Sequence, residues 1–226
     1  MTALRSSVPP AAVLLAVALL GAGASTTSLR AQTMEPRGPV LAVLAHQARV
    51  RSALGDLVPP ERSVPQLGLE VSAPTFWRPL RVTGRLLRST RGADDLHSLD
   101  AGVLLSVRFI SLEAAYASRR SYSPESGLAH GRTAEFARAG FRARAGVGSS
   151  GFIMHLRGNA YVPTQRAAVA EDEIEGWDAE SGLTYVPRSL PVTATLGYRL
   201  ERFRIFGVEQ EVSALTFALG VALLGR

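Results

Sequence analysis

The chain has 226 residues and a formal net charge of +6, and apart from four histidines every basic residue is an arginine. It contains no cysteine, which excludes disulfide bonds, a thiol nucleophile and cysteine metal sites. The arginines are scattered singly rather than gathered in a basic run, which argues against nucleic-acid binding.

The first residues read as an export signal. Arg5 supplies a positive charge, residues 11–24 form an apolar run, and a small-residue cleavage site follows, either at Ala22-Gly23-Ala24 or ending at Ala31. The run is shorter than the about 20 apolar residues that a membrane-spanning helix needs. We therefore predict a cleaved signal peptide over 1–31 and a mature domain over 32–226, located outside the inner membrane. An uncleaved anchor is the alternative.

The mature chain alternates bulky apolar residues with small or polar ones at a period of two, which is strand geometry. The pattern predicts ten strands, at roughly 38–51, 67–75, 79–88, 98–108, 110–120, 132–145, 151–163, 178–187, 191–205 and 211–225. No segment shows a convincing helical period, so we predict an all-β protein. The first strand alternates least regularly, and a count of eight is the alternative, since bacterial barrels have even strand numbers.

The last predicted strand shows the alternation most clearly. Its bulky residues fall at every second position, with alanine, threonine or glycine between them: Leu215, Phe217, Leu219, Val221 and Leu223. A helix would gather its bulky residues at spacings of three and four instead. The segment is also too short for a membrane helix.

The predicted connections alternate in length. Short ones such as TFWRP, AGVGSSG and PRSLP are separated by longer ones at 52–66, 89–97, 121–131 and 164–177, which are rich in proline, glycine and charge. This asymmetry is typical of outer-membrane barrels, which have short periplasmic turns and longer outside loops. The connection FGVEQ near the end of the chain is a brief exception.

Charges of both signs fall on the polar face of the predicted strands. Inside a barrel they could pair, whereas a charge facing lipid would cost about 2–4 kcal/mol at mid-depth. We therefore predict a lumen charge network of Glu70, Arg81, Arg85, Asp100, Arg108, Glu113, Arg138, Arg142, Arg144, His155, Arg157, Glu180, Arg199 and Glu201.

Aromatic residues near strand ends predict an interfacial girdle: Phe76, Trp77, Phe109, Tyr161, Trp177 and Tyr185. With the export signal and the loop asymmetry, the mature chain resembles the small outer-membrane β-barrel proteins of diderm bacteria. The resemblance implies an antiparallel up-and-down transmembrane barrel in contact with outer-membrane lipid. It also implies that the outer-membrane insertion machinery recognises the last strand, although the chain ends in Gly225-Arg226 instead of an aromatic residue.

No motif for catalysis, a cofactor or a metal stands out. The G-x-G-x-x-G at 146–151 precedes a predicted strand rather than a helix, which indicates a hairpin turn and not a dinucleotide site. The histidines, His46, His97, His130 and His155, lack metal-ligand spacing. The acidic run at 171–175 lacks the calcium-loop pattern, and no G-x-S-x-G motif occurs.

We therefore predict a non-enzymatic outer-membrane protein without a cofactor, with a structural, envelope or adhesive role. A narrow anion-preferring pore is a further option, because arginines outnumber acids on the predicted lumen face. The alternatives are an outer-membrane enzyme that modifies lipid, and a soluble secreted β-barrel that binds a small ligand. The sequence carries no signal for an oligomeric state.

Overall fold

The computed structural model describes residues 38–54, 60–77, 79–90, 96–107, 109–120, 133–147, 151–164, 176–187, 190–205 and 208–223. They form ten strands: β1 (Val40–Leu54), β2 (Arg62–Pro74), β3 (Leu80–Ser89), β4 (His97–Val107), β5 (Ile110–Arg120), β6 (Thr133–Val147), β7 (Phe152–Pro163), β8 (Gly176–Tyr185), β9 (Val192–Ile205) and β10 (Val208–Ala222). The predicted signal peptide lies outside the described residues.

The sheet closes on itself, because β1 pairs with β2 on one side and with β10 on the other. All neighbours are antiparallel and follow one another in chain order, which confirms the predicted ten-stranded up-and-down barrel over the alternative of eight strands. Among the described residues, no helix has the length and apolarity needed to cross a membrane.

The strands are staggered around the barrel. A path of registered neighbours that leaves β1 at Val40 returns to it at Ser52, twelve residues further along. The path runs through Ser72, Thr83, Gly102, Ala115, Arg138, Tyr161, Gly176, Phe203 and Gln210. With ordinary strand spacings, this stagger tilts ten strands by about 40° from the barrel axis. Each residue then advances about 2.6 Å along the axis, so about ten residues cross a hydrocarbon layer.

The two ends of the barrel differ. The strands are joined at one end by the connections 75–79, 108–109, 148–151 and 186–191, and we call this the short-turn end. At the opposite, long-loop end they are joined by 55–61, 90–96, 121–132, 164–175 and 206–207. As predicted, shorter and longer connections alternate until the last one. β1 begins and β10 ends at the short-turn end.

β2 begins earlier than predicted, at Arg62 rather than 67. The sequence suggested a loop here because Pro65 has no amide proton to donate to a sheet. Pro65 lies one residue beyond Gln66, the last residue of β2 that is registered with β3. Its carbonyl accepts a hydrogen bond from the Thr90 amide at 3.0 Å, so its nitrogen faces past the end of β3, where no ladder bond is lost.

β10 also begins earlier than predicted, at Val208 rather than 211. Glu209 and Gln210 continue the alternation: Gln210 is buried inside, whereas Glu209 forms an ion pair with Arg202 on the outside. The brief predicted connection is therefore reduced to 206–207.

Gly140 lies where β6 and β7 approach each other closely. A Cβ added there would press on the Gly158 carbonyl oxygen and lie 2.7 Å from the Asn159 Cα, whereas one added at Gly146 on the same strand meets nothing within 4 Å. We expect Gly140→Ala to lower the free energy of unfolding by about 1–3 kcal/mol through overpacking. Gly146→Ala should leave it unchanged or raise it slightly. Urea titration of the refolded barrel, read as the mobility shift of the closed form on gels, measures the free energy of unfolding of both variants. Equal losses in the two variants would contradict the close approach at Gly140.

Candidate functional site

The outer surface carries a continuous band of apolar side chains. On β1, Leu41 and Val43 are 46% and 55% exposed, and on β10, Phe217 and Leu219 are 47% and 55% exposed. Outward positions of the other strands are filled in the same way, by Leu67, Leu69, Val71, Val82, Leu86, Leu99, Val103, Leu112, Phe141, Met154, Leu183 and Leu196. On β10 the band extends from Leu215 to Leu223, which is about 20 Å along the barrel axis. Water-soluble monomers rarely expose so large a contiguous apolar surface.

The outward charges of the described strands lie beyond this band, toward the long-loop end. They are Arg49, Arg51, Arg88, Arg120, Glu135, Arg202, Arg204, Glu209 and Glu211. The outer surface is therefore divided along the axis into two parts. We call the apolar band the apolar zone, and we call the nine charged residues beyond it, at the long-loop end, the charged collar.

Five of the six predicted girdle aromatics lie on the outward side or in the turns: Phe76, Trp77, Phe109, Trp177 and Tyr185. The prediction is wrong for Tyr161. Its side chain points inward and is only 4% exposed, because it shares the inward parity of Arg157 on β7.

Thirteen of the fourteen predicted network residues lie in the described strands, and all thirteen are on the inward face. Arg81, Arg85, Asp100, Glu113, Arg138, Arg157, Glu180, Arg199 and Glu201 are buried, and Glu70, Arg142, Arg144 and His155 are half-buried. The fourteenth, Arg108, lies outside the described residues.

Glu113 on β5 joins three arginines of the next two strands. Arg157 donates from Nε to Glu113 Oε2 at 2.9 Å and from Nη2 to Oε1 at 2.5 Å. Arg138 also donates to Oε1, and Arg142 Nη2 lies 3.9 Å from Oε2. The Glu113 side chain is 1% exposed, so this carboxylate is held among guanidinium groups away from water.

A second group of contacts lies closer to the long-loop end. Arg119 donates to Asp100 Oδ1 at 2.7 Å and to Glu201 Oε1 at 2.5 Å. It also donates to the Tyr161 hydroxyl at 2.9 Å, and that hydroxyl in turn lies against the carboxylates of Asp178 and Glu201. Tyr161 therefore joins a buried arginine to two buried acids.

Further ion pairs join these groups across the barrel. Arg138 Nη1 is 2.7 Å from Asp100 Oδ2, which connects the Glu113 group to the second group. Arg85 on β3 donates to both Glu180 oxygens on β8, at 2.8 and 3.5 Å. Further contacts include Arg85–Glu70 at 3.4 Å, Arg157–Glu180 at 3.7 Å and Arg199–Glu201 at 3.2 Å. The result is one network with members on every strand from β2 to β9.

An apolar cluster fills the lumen at the long-loop end. Its members lie near the long-loop ends of their strands: Ala48, Ala117, Ala134, Phe136, Tyr161, Phe203, Val212 and Ala214. The ring of Phe136 is 5.4 Å from that of Tyr161 and 6.5 Å from that of Phe203, measured between centroids. On the β1–β10 side, Leu44 packs with Leu87 and Ala218. Apolar side chains therefore fill parts of the lumen that the charge network does not occupy.

A cavity of about 20 Å³ lies beside this cluster. His46, Gln66, Arg119, Glu201 and Phe203 are among its lining residues. A volume of that size holds about one or two water molecules, so it interrupts the filled lumen without opening a path through it.

Arg119, Asp178 and Tyr161 are network members that the sequence prediction missed. Each could have been found from the alternation of inward and outward positions. Arg119 is in phase with Glu113 on β5, Asp178 with Glu180 on β8, and Tyr161 with Arg157 on β7. Arg119 reads as part of a loop-flanking pair with Arg120 in the sequence. In the structure the two side chains point to opposite sides of the sheet, Arg119 inward and Arg120 outward.

The remaining sequence signals have different outcomes. The first two residues of the glycine motif at 146–151 end β6, and 148–150 lie outside the described residues. Gly151, directly before β7, has a φ of 81°, as a tight turn into a strand requires. The acidic run at 171–175 and His130 lie outside the described residues. Within the described ranges, no group of three histidine, aspartate or glutamate side chains could hold a metal ion.

Solved structures with a similar fold are outer-membrane barrels. An outer-membrane channel of Pseudomonas putida F1 matches with a TM-score of 0.46 and 9% identity, over 88% of this chain and 100% of that one. The translocator domain of the autotransporter NalP of Neisseria meningitidis matches at 0.43 and 12%, over 94% and 98%. Neisserial surface protein A matches at 0.35 and 11%, over 81% and 97%. No family model and no curated protein matches the chain. At these TM-scores the likeness assigns no function.

Removing the charge of Glu113 should destabilise the barrel strongly, because Arg138 and Arg157 would stay buried without their shared counter-charge. We expect Glu113→Gln to lower the free energy of unfolding by about 3–5 kcal/mol. The matched control is Glu61→Gln, since Glu61 forms an exposed ion pair with Arg49 at 3.8 Å. That substitution should cost at most about 1 kcal/mol. Urea titration in phospholipid vesicles compares the free energies of unfolding of the two variants. A loss for Glu113→Gln as small as that for Glu61→Gln would mean that the network adds nothing to stability.

Proposed function

We propose that this chain is an outer-membrane barrel that crosses the bilayer with its ten strands, keeps its lumen closed, and serves the envelope as a structural or adhesive element. The observation that carries the proposal is the reversed polarity of the barrel. Bulky apolar side chains cover the outside, while buried arginines and carboxylates fill the inside. A soluble ligand-binding barrel needs the opposite distribution, with apolar residues inside and polar ones outside.

The dimensions of the exterior support a membrane location. The apolar zone of about 20 Å on β10 is close to the about 25 Å apolar band of outer-membrane barrels. The short-turn end would face the periplasm, and the long-loop end with its charged collar would face outside the cell. Outer-membrane lipid is then the partner of the apolar zone, and we propose the outer-membrane insertion machinery as the partner of β10.

The packing of the lumen supports a closed barrel over the narrow anion pore. Ten-stranded barrels have interiors that side chains can fill. Here a charge network with members on eight strands and the apolar cluster next to it occupy successive levels. An ion would have to break buried guanidinium–carboxylate pairs to pass, and such pairs are costly to separate.

The connections at the long-loop end support the envelope role. The connections 121–132 and 164–175 join strands at the long-loop end. The first contains proline, glycine and charges of both signs, and the second contains one arginine and four acids. They would present the surface for adhesion. A lipid-modifying enzyme would need a serine, histidine and acid converging near the rim, and the absence of enzymatic activity stays a prediction.

Single-cysteine labelling tests the membrane location without background, because the chain has no cysteine. We expect Leu69→Cys and Leu219→Cys, both in the apolar zone, to react with a lipid-soluble maleimide but not with a charged one in intact envelopes. Arg49→Cys and Arg204→Cys, in the charged collar, should react with the charged reagent. Full reaction of all four positions with the charged reagent would show that the apolar zone is in water and would overturn the membrane assignment.

Planar-bilayer recording tests the closed lumen. The wild-type barrel should give no unitary current steps, because the charge network and the apolar cluster occupy the interior of the described strands. A combined variant, Phe136→Ser with Arg138→Ser and Arg157→Ser, removes members of both the apolar cluster and the network and should produce small steps. Arg49→Ser, on the outside, should stay silent like the wild type. Stable steps from the wild type would contradict the closed state and favour the pore.

A further inference from the structure

The arginines of the charged collar come to one level of the barrel although they lie on different strands. A full circuit of registered neighbours rises twelve residues along β1, so each strand raises the path by about one residue toward the long-loop end. Arg88 is registered with Ala45 through Leu67 and therefore lies level with about residue 47 of β1. In the other direction, Arg202 is registered with Arg51 through β10 and lies level with about residue 49. The charged collar is thus a ring about 10 Å deep.

The charged collar borders the apolar zone directly. Leu67, opposite Arg88 on β2, and Leu86, the next outward residue on β3, are both exposed. Trp177, opposite Arg202 on β8, is exposed as well. Tryptophan is enriched where a membrane meets water, and an arginine stem there can lie along apolar surface while its guanidinium group stays among polar headgroups. In a bilayer that covers the apolar zone, the charged collar lies at the depth of the lipid headgroups.

Two arginines of the charged collar differ from the others in their side-chain contacts. Within the described ranges, the side chains of Arg51 and Arg88 form neither an ion pair nor a hydrogen bond. In contrast, Arg202 is paired with Glu209, and Arg49 lies 3.8 Å from an exposed glutamate. We call Arg51 and Arg88 the lipid-facing arginines. Their guanidinium groups keep their donors for a partner outside the described part of the chain.

The acids of the charged collar lie away from Arg88. They are on β6 and β10: Glu135, Glu209 and Glu211. Glu211 is registered opposite Arg51, on the side of β1 that faces away from β3. The described outward faces of β2 to β5 carry two arginines, Arg88 and Arg120, and no acid. A negatively charged group that approaches Arg88 along these strands therefore meets no outward carboxylate on them.

The short-turn end has no equivalent of the charged collar. Within the strands that the structure describes, the outward positions at that end are uncharged, among them Val107 on β4 and Tyr185 on β8. The two boundaries of the apolar zone therefore differ, and outward arginines occur at one of them.

We propose that the lipid-facing arginines bind the phosphate groups of lipid headgroups in the leaflet at the long-loop end. The inference rests on the proposed membrane location and deepens it by naming the lipid chemistry that this side of the barrel selects. The planar fork of a guanidinium group matches two oxygens of a phosphate, and the contact is charge-assisted. A headgroup with a net negative charge is favoured over a zwitterionic one, in which a cation already neutralises the phosphate.

The test measures the local lipid composition at two outward positions. The full-length barrel, with a fluorophore on Ser63→Cys or on Val107→Cys, is reconstituted into phosphatidylcholine vesicles at constant ionic strength; the natural chain has no cysteine. Ser63 is on β2, between the strands of the two lipid-facing arginines, and Val107 is at the short-turn end. Nitroxide-labelled phosphatidic acid should quench the fluorophore at Ser63 about threefold more than equally labelled phosphatidylcholine. At Val107 the two lipids should quench equally.

Variants made with Ser63→Cys show which side chains cause the preference. Arg51→Gln combined with Arg88→Gln should bring the quenching ratio close to one. The matched control is Arg202→Gln, which removes an arginine of the same ring that Glu209 already holds, and it should keep most of the preference. The lipid-facing arginines are exposed, so these variants should close into barrels, as a mobility shift on gels can verify.

The possible failures separate this inference from the proposed membrane location. If Leu69→Cys stays shielded from the charged maleimide while the wild-type quenching ratio at Ser63 is one, the barrel is in the bilayer and the phosphate contact is overturned. An unchanged ratio in the double variant also overturns it. Loss of the preference when inorganic phosphate is added at the same ionic strength would overturn the lipid headgroup as the ligand, in favour of a soluble anion.

Discussion

A strand sends successive side chains to opposite sides, and in a closed barrel one of those sides is a narrow interior. Once the outside is apolar, nearly all polar side chains in the middle of each strand must enter that interior. Isolated charges there would carry a heavy desolvation cost, so each needs an opposite charge within reach. The contacts of Glu113 with three arginines, and of Arg119 with two acids, follow from this constraint. The interior is therefore organised mainly by charge pairing, and apolar side chains pack at the long-loop end and beside β1 and β10.

The network also connects parts of the sheet that the backbone does not. Ladder hydrogen bonds join each strand only to its two neighbours, whereas Arg85 on β3 reaches Glu180 on β8, and Arg119 on β5 reaches Glu201 on β9. These contacts cross the lumen as struts and resist flattening of the barrel cross-section.

The period of two in the sequence predicted the strands, and the alternation of short and long connections together with the export signal favoured a barrel over other all-β folds. The period of two also placed Glu113 and Arg138 on the inward face. It could not reveal which acid meets which arginine, since that depends on a stagger of twelve residues accumulated over ten strand pairs. Local composition misled in particular places. Pro65 read as a loop although its nitrogen faces past the end of β3, and Tyr161 read as an interfacial aromatic although its hydroxyl lies among buried carboxylates.

The seam of the barrel joins the first strand to the last, with Val40 opposite Ala222 and Leu54 opposite Val208. No shorter part of the chain can complete the cylinder, since a truncated product would leave two raw edges of unpaired amides and carbonyls, which hydrocarbon does not tolerate. Closure of the barrel is consequently a late step, since β1 can meet its second neighbour only after β10 has been synthesised.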